Sequence, residues 1–181
     1  MRVTPAAIAD VLVIEPKVFA DARGYFFESF NERAFAQATG VSAKFVQDNH
    51  SRSVRNTLRG LHYQIQQPQG KLVRVVSGEV FDVVVDLRRQ SPSFGQWLGN
   101  RLSAENKKMV WSPAGFAHGF LVLSEYADLL YKVTDYWAPR HERSLLWNDP
   151  ELGIAWPLLG EPLLAAKDKA GKRLAEAEVF D

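Results

Sequence analysis

The sequence predicts an all-β fold, a double-sheet jelly roll with short peripheral helices. Short runs of β-branched, aliphatic and aromatic residues recur along the chain, and Gly, Pro, Asn, Asp and Ser separate them. Many short strands separated by turns indicate a sandwich or a barrel, and of these a double-sheet jelly roll is favoured. We expect one domain over residues 1–181, because a chain of this length can bury one substantial core.

The N-terminal part contains a strand, a turn and a short helix. The strand is Val11–Ile14, which Glu15-Pro16 ends, and the turn is Asp21–Gly24, with glycine where a positive φ is useful. A helix over residues 32–38 follows, with Asn31 as its N-cap and a glycine as its stop.

The middle of the chain gives the strongest β signal. After a strand at Phe45–Asn49, Ser51–Arg55 is predicted to be an exposed loop. Leu72–Val76 and Val80–Val85 are then predicted to pair as a hairpin across Ser77–Glu79.

Further strands are predicted until the chain becomes rich in turns at Pro139. They are residues 96–98, 101–102, 109–111, 119–123 and 128–133. In the last part, Trp147 and Trp156 are expected to anchor the chain, and a terminal helix is expected from about Asp168.

Composition excludes several classes of function. With 22 basic and 21 acidic residues the net charge is +1, so nucleic acid is not an expected partner. The chain has no cysteine, which excludes disulfides, thiolate nucleophiles and cysteine-ligated metals. No apolar run has bilayer length, and the N-terminal apolar run is bracketed by Asp10 and Glu15, so we expect a cytoplasmic protein that is not a membrane partner.

Two histidine-containing stretches predict one pocket. The first is Asn56–Gln64, which contains Arg59, Gly60 and His62, and the second is Trp111–Phe120, which contains His118. A lone histidine in a strand is more often a structural residue. A bulge at Gly60, however, would turn Arg59 and His62 toward the same cavity.

The pocket is not expected to hold a metal or another cofactor. The turn that leads to His118 is typical of the cupin version of the jelly roll, whose members often bind a metal through paired histidines and a downstream carboxylate. Here His62 is followed by Tyr63 and Gln64, and the cation Lys71 stands where an acidic ligand would be sought. Isolated histidines beside an ammonium group make a poor divalent-metal site.

Several other polar residues have a structural interpretation when each is taken alone. Tyr131 would be a core tyrosine, and Asp168 would be a helix N-cap. Asp82 differs, because it interrupts a strongly apolar strand and needs a partner there. Lys71 or a histidine is the predicted partner.

Taken together, these stretches resemble the dTDP-4-dehydrorhamnose 3,5-epimerase family almost from end to end. The matching motifs are Asp21–Ser29, Gln47–Ser51, Leu58–Gln64, Gly70–Arg74, Ser91–Trp97, Pro113–His118, Leu145–Asp149 and Lys167-Asp168. The resemblance implies a metal-independent homodimer without a cofactor that acts on dTDP-4-dehydro-6-deoxy-D-glucose and inverts the sugar at carbons 3 and 5.

The resemblance also implies roles for individual residues. His62 would be the base, Asp168 would orient it, Tyr131 would be the acid, and Lys71 would stabilise the enolate. The implied substrate-binding positions are Arg23, Glu28, Gln47, Asp48, Asn49, Arg59, Lys71, His118, Glu142 and Lys167. Phe19, Tyr136 and Trp137 are candidates to stack on thymine.

Three alternatives stay open at the level of sequence. One is an epimerase that inverts a single carbon of a related nucleotide deoxysugar. Another is a jelly-roll module that binds such a sugar without turnover. The third is a metal-dependent cupin oxygenase, which a chelator would inhibit.

Overall fold

Two antiparallel sheets and one small hairpin form the framework of the protein, of which the computed structural model describes residues 1–181. In spatial order, the six-stranded sheet contains β1 (Arg2–Pro5), β2 (Leu12–Glu15), β10 (Met109–Ser112), β7 (Lys71–Ser77), β12 (Tyr126–Val133) and β5 (Gln47–Val54). The five-stranded sheet contains β13 (Glu142–Ser144), β6 (Leu58–Gln64), β11 (Phe116–Val122), β8 (Glu79–Asp86) and β9 (Trp97–Ser103). The predicted jelly roll is confirmed.

The remaining elements are small and peripheral. The hairpin joins β3 (Phe19–Asp21) to β4 (Gly24–Phe26) and pairs with neither sheet. The helices are α1 (Glu32–Thr39), α2 (Ala166–Lys169) and a 3₁₀ turn at Leu174–Glu176. No helix is long and apolar enough to span a membrane.

The main core lies between the two sheets, because alternate residues of each strand point inward. Val73 and Leu129 of the six-stranded sheet pack there with Val80, Val84 and Phe120 of the five-stranded sheet. A second cluster covers the outer face of the five-stranded sheet with the C-terminal segment, and a third lies under α1 around Trp111.

Helix α1 begins and ends where the sequence predicts. The Asn31 side chain accepts a hydrogen bond from the Ala34 N–H at 3.0 Å, and Gly40 ends the helix with a φ of 71°. Asp168, in contrast, is not an N-cap. It lies inside α2, whose N-cap is Ala165.

The predicted hairpin between residues 72 and 85 is wrong. Strand β7 pairs with β10 and β12, whereas β8 pairs with β11 and β9, so Gly78 carries the chain from one sheet to the other. A side chain at Gly78 would meet the Tyr126 carbonyl oxygen at 2.0 Å, and its φ is 75°. A tight turn between two apolar strands fits both arrangements, and packing the two strands face to face buries more of their apolar side chains.

The predicted loop at Ser51–Arg55 is also wrong, because most of it belongs to strand β5. This strand pairs with β12 from Gln47 opposite Val133 to Val54 opposite Tyr126. Because most of its side chains are polar, the sequence did not indicate the full length of this strand. Residues 96–98 and 101–102 likewise form the single strand β9, and the other predicted strands are present with ends that differ by a few residues.

Candidate active site

A cavity of about 550 Å³ opens at one end of the space between the two sheets. Strands of both sheets line it together with the segment Leu163–Asp168. Among the lining residues are these sequence-predicted site residues: Gln47, Asn49, Arg59, His62, Lys71, His118, Tyr131, Glu142, Lys167 and Asp168.

A bulge in β6 brings Arg59 and His62 to the same cavity, as the glycine between them predicted. His118 of β11 lies opposite His62 and Phe120 lies opposite Arg59, so β6 contains one residue more than its partner strand. Gly60 has a φ of 129°, and a Cβ there would lie 2.5 Å from the Cα of Gly119. Only glycine therefore permits the backbone of the two strands to approach this closely.

His62 is paired with a buried carboxylate. Its Nε2 lies 2.5 Å from Oδ1 of Asp168, whose side chain is 1% exposed. Burial lowers the pKa of His62 below its ordinary value, and the hydrogen bond and charge of Asp168 oppose this effect. A histidine that is neutral and oriented by a carboxylate can accept a proton.

Lys71 provides a buried cation beside that histidine. Its Nζ donates a hydrogen bond to the main-chain oxygen of His62 at 3.1 Å. Burial lowers the pKa of Lys71 to about 8, against the raising effect of the Asp82 and Glu142 charges. Below that pH the ammonium group can stabilise negative charge that develops on a ligand in a poorly solvated site.

Tyr131 lies on β12 and lines the same cavity. Burial raises the pKa of its hydroxyl above the ordinary value, and the charge of Glu142 adds to this effect. The hydroxyl therefore keeps its proton at neutral pH and can donate it.

The predicted partner of Asp82 is a histidine of the cavity wall. Nε2 of His118 lies 2.6 Å from Oδ2 of Asp82, and both side chains are buried. The cavity is thus bordered by two histidine–aspartate pairs, one at His62 and one at His118.

Polar side chains at the cavity hold each other in place. Nε of Arg59 donates to Oγ of Ser53 at 2.9 Å, and Nε2 of Gln47 donates to Oδ1 of Asn49 at 2.9 Å. Nζ of Lys167 likewise donates to Oε1 of Glu142 at 2.9 Å, and both residues line the cavity.

Of the three aromatic residues that were candidates for stacking, Trp137 alone lines the cavity. Its backbone N–H donates to Oε1 of Gln47 at 3.0 Å. Gln64 supports the same loop, because its side chain bonds to the backbone of Tyr136 and Ala138.

Three predicted binding residues do not reach this cavity. Asp48 alternates with Gln47 and Asn49 along β5, so it faces the other side of the sheet and pairs with Lys132 at 3.0 Å. Arg23 lies in the turn of the β3–β4 hairpin, where it pairs with Asp21, and Glu28 follows that hairpin.

Asn56 is a structural residue that sequence reasoning missed. It has a φ of 60°, and its side chain binds the backbone of Leu159 and Glu161. Its own carbonyl accepts from the Leu163 N–H at 2.9 Å. Asn56 thus attaches the segment that carries Asp168 to the sheet that carries His62, and the tolerance of asparagine for a positive φ was the one available signal.

Comparison with protein families gives a match over most of the chain. The family model for dTDP-4-dehydrorhamnose 3,5-epimerase matches residues 5–176. A dTDP-4-dehydrorhamnose 3,5-epimerase of Pseudomonas aeruginosa is 66% identical over 99% of each chain.

Solved structures of other proteins are similar to this chain in both fold and sequence. The dTDP-6-deoxy-D-glucose-3,5-epimerase of Legionella pneumophila, in complex with dTDP-4-keto-L-rhamnose, superposes with a TM-score of 0.96 and is 51% identical, covering 98% of this chain and 94% of that one. A 3'-monoepimerase of Streptomyces bikiniensis in complex with dTDP-quinovose has a TM-score of 0.89 and 39% identity, covering 97% and 88%.

Proposed function

Because the chain belongs to the dTDP-4-dehydrorhamnose 3,5-epimerase family, we propose that it inverts carbons 3 and 5 of dTDP-4-dehydro-6-deoxy-D-glucose. The product is dTDP-4-dehydro-L-rhamnose, so the enzyme is an isomerase of dTDP-L-rhamnose synthesis. The observation that carries the proposal is the pairing of His62 with Asp168 in one cavity with Lys71 and Tyr131. Higher identity to a double epimerase than to a monoepimerase favours inversion at both carbons.

The reaction needs a base, an electrophile and an acid. His62 removes a proton from a carbon next to the carbon 4 ketone, and the electron pair moves to the ketone oxygen to give an enolate. Asp168 orients the imidazole and stabilises the imidazolium that forms. Lys71 stabilises the enolate oxygen, and Tyr131 returns a proton from the opposite face, which inverts the carbon.

The remaining cavity residues suit a nucleotide sugar. Arg59 and Lys167 offer positive charge to a diphosphate, with the planar fork of Arg59 suited to paired hydrogen bonds. Trp137, Gln47 and Asn49 line the cavity, and we propose that they hold the thymidine part through stacking and amide hydrogen bonds. A diphosphate-linked sugar does not cross a bilayer unaided, so we propose that the enzyme and its substrate share the cytoplasm.

The configuration of the product at carbons 3 and 5 tests the proposed function. Purified protein, the substrate and a reductase that traps the product should give a deoxysugar nucleotide with L-rhamnose configuration by NMR. Inversion at one carbon only would identify a monoepimerase, and binding without conversion would identify a sugar-binding module.

The β3–β4 hairpin supports a homodimer with shared sites. Phe19, Tyr25 and Phe26 are 54%, 60% and 68% exposed, although they belong to a two-stranded sheet that no other strand supports. Such a hairpin is barely stable alone, and exposed aromatic clusters mark contact surfaces. We propose that it packs on a second copy and carries Arg23 and Glu28 to the cavity of that copy.

Subunit complementation tests whether Arg23 of one copy serves the cavity of the other copy. Mixed dimers of Arg23→Ala and His62→Ala chains contain one site in which both residues are intact. We expect the mixture to regain activity after subunit exchange, although each variant alone has little. If Arg23 served the site of its own chain, every mixed dimer would have two defective sites and no activity would return.

The pH dependence of kcat/KM should be bell-shaped. His62 must be neutral to act, so activity falls on the acid side as pH drops through its pKa, which lies below the ordinary 6.5. Lys71 must be charged, so activity falls on the alkaline side as pH rises through about 8. Steady-state kinetics across this range test both limbs, and a rate that stays constant well above pH 8 would contradict the role of Lys71.

A further inference from the structure

A buried carboxylate stands behind the wall of the cavity, in a place where apolar residues would be expected. Asp82 lies between Val80 and Val84 on the inward face of β8, and both valines belong to the core between the sheets. His118 lies between Phe116 and Phe120 on the inward face of β11, in the same core. Asp82 has no exposed surface, whereas His118 lines the cavity.

The hydrogen bond between the two side chains fixes the position of a proton. An ionised carboxylate can only accept, so the contact of 2.6 Å between Asp82 Oδ2 and His118 Nε2 requires a proton on Nε2. No group of the chain hydrogen bonds to Nδ1 of His118. Nδ1 is therefore the ring atom that remains for a ligand in the cavity.

The other oxygen of Asp82 shows that this carboxylate is only partly paired within the chain. Oδ1 is buried without a hydrogen-bond partner, and Nδ2 of Asn100, directly opposite on β9, is also buried without one. An unsatisfied buried polar atom destabilises the folded state. Asp82 carries this cost in folding free energy, and its one side-chain hydrogen bond goes to a histidine of the cavity. These two features together are typical of a functional residue.

We propose that Asp82 is a positioning residue: it holds His118 with its proton on Nε2, so that Nδ1 accepts a hydrogen bond from a hydroxyl group of the sugar. His118 lies opposite His62 in the strand register, so this contact would be made next to the reacting part of the sugar. The proposal rests on the proposed epimerase function for its ligand, but the state of the imidazole is a property of the free protein.

The variant Asp82→Asn tests the proposal. The amide can donate a hydrogen bond to Nε2, which favours the opposite tautomer with the proton on Nδ1. In protein labelled with ¹⁵N-histidine and free of ligand, NMR should show His118 protonated at Nε2 in the wild type and shifted toward Nδ1 in the variant. We expect kcat to fall on the order of 10²-fold, because the ring would then present a donor instead of an acceptor.

Asp128→Asn is the matched control. Asp128 also accepts a hydrogen bond from a histidine, His50, at 3.0 Å, but neither residue lines the cavity. This change should leave kcat and the His118 signals as in the wild type.

Thermal unfolding separates positioning from a structural role. Measured well above pH 8, where Lys71 is mostly neutral and no longer depends on the Asp82 charge, the Tm of Asp82→Asn should be unchanged or raised, whereas a residue that serves only the fold would lower it. A kcat that falls while the proton stays on Nε2, or that stays at the wild-type rate after the proton has moved to Nδ1, would overturn the proposal. Because that spectrum is recorded without substrate, the absence of epimerase activity in the wild type would count against the proposed function alone.

Discussion

His62→Ala is expected to abolish measurable turnover and to leave the fold intact. Positioned acid–base groups contribute roughly 10²–10⁴-fold to a rate, and alanine offers no atom that could accept the proton. The His62 side chain is 22% exposed to the cavity and bonds to Asp168 rather than to the core, so its removal leaves the packing intact and lowers the Tm only through the unpaired Asp168. The measurement is kcat, with circular dichroism and Tm as checks on folding.

His50→Ala is the control for this change. His50 also pairs with an aspartate, Asp128, but its side chain is 56% exposed and lies outside the cavity. It should keep nearly the full rate. If His62→Ala kept a rate close to that of the wild type, His62 would not be the base.

Tyr131→Phe is expected to impair return of the proton more than its removal. The variant keeps the aromatic ring in the cavity and loses only the hydroxyl, while His62, Asp168 and Lys71 stay in place. Isotope exchange between substrate and solvent should therefore continue on the face of the base, while formation of inverted product falls by roughly 10²-fold or more.

Tyr126→Phe serves as the comparison for Tyr131→Phe. Tyr126 is on the same strand, is 42% exposed and lies outside the cavity. Its variant should behave as the wild type in both exchange and product formation. Equal loss of exchange and of product in Tyr131→Phe would contradict the division of roles.

Local sequence signals predicted helix α1 and the bulge in β6, whose geometry is determined by residues close together in sequence. The cap at Asn31 and the stop at Gly40 define α1 through hydrogen bonds within a few residues of each other. The bulge at Gly60 was likewise predictable, because a glycine inside an apolar strand commonly marks a bulge or the close approach of another backbone.

Elements that depend on distant partners were predicted less well. Whether β7 and β8 pair in one sheet or face each other across a core is decided largely by β10, β12 and β11, none of which is near in sequence. Strand β5 was cut short for the same reason. Its alternate polar residues Gln47, Asn49 and Ser51 line the cavity, which only the assembled fold reveals.

The site residues also divide into those that local sequence predicts and those that depend on distant parts of the chain. Composition and spacing predicted a pocket around His62 and His118 and a partner for Asp82, but they could not distinguish Lys71 from His118 as that partner. The roles of Asp168 and Tyr131 depended on family resemblance, because the sequence separates them from His62 by long stretches and each has an ordinary structural interpretation. The fold places both at the cavity.

In the proposed function this cavity moves protons at both carbons next to the ketone. The most direct test is to incubate the protein with dTDP-4-dehydro-6-deoxy-D-glucose in deuterated water and to follow carbons 3 and 5 by NMR. We expect deuterium at both carbons with wild-type protein and at neither with His62→Ala. Deuterium at one carbon only, or exchange that persists without His62, would contradict this proposal.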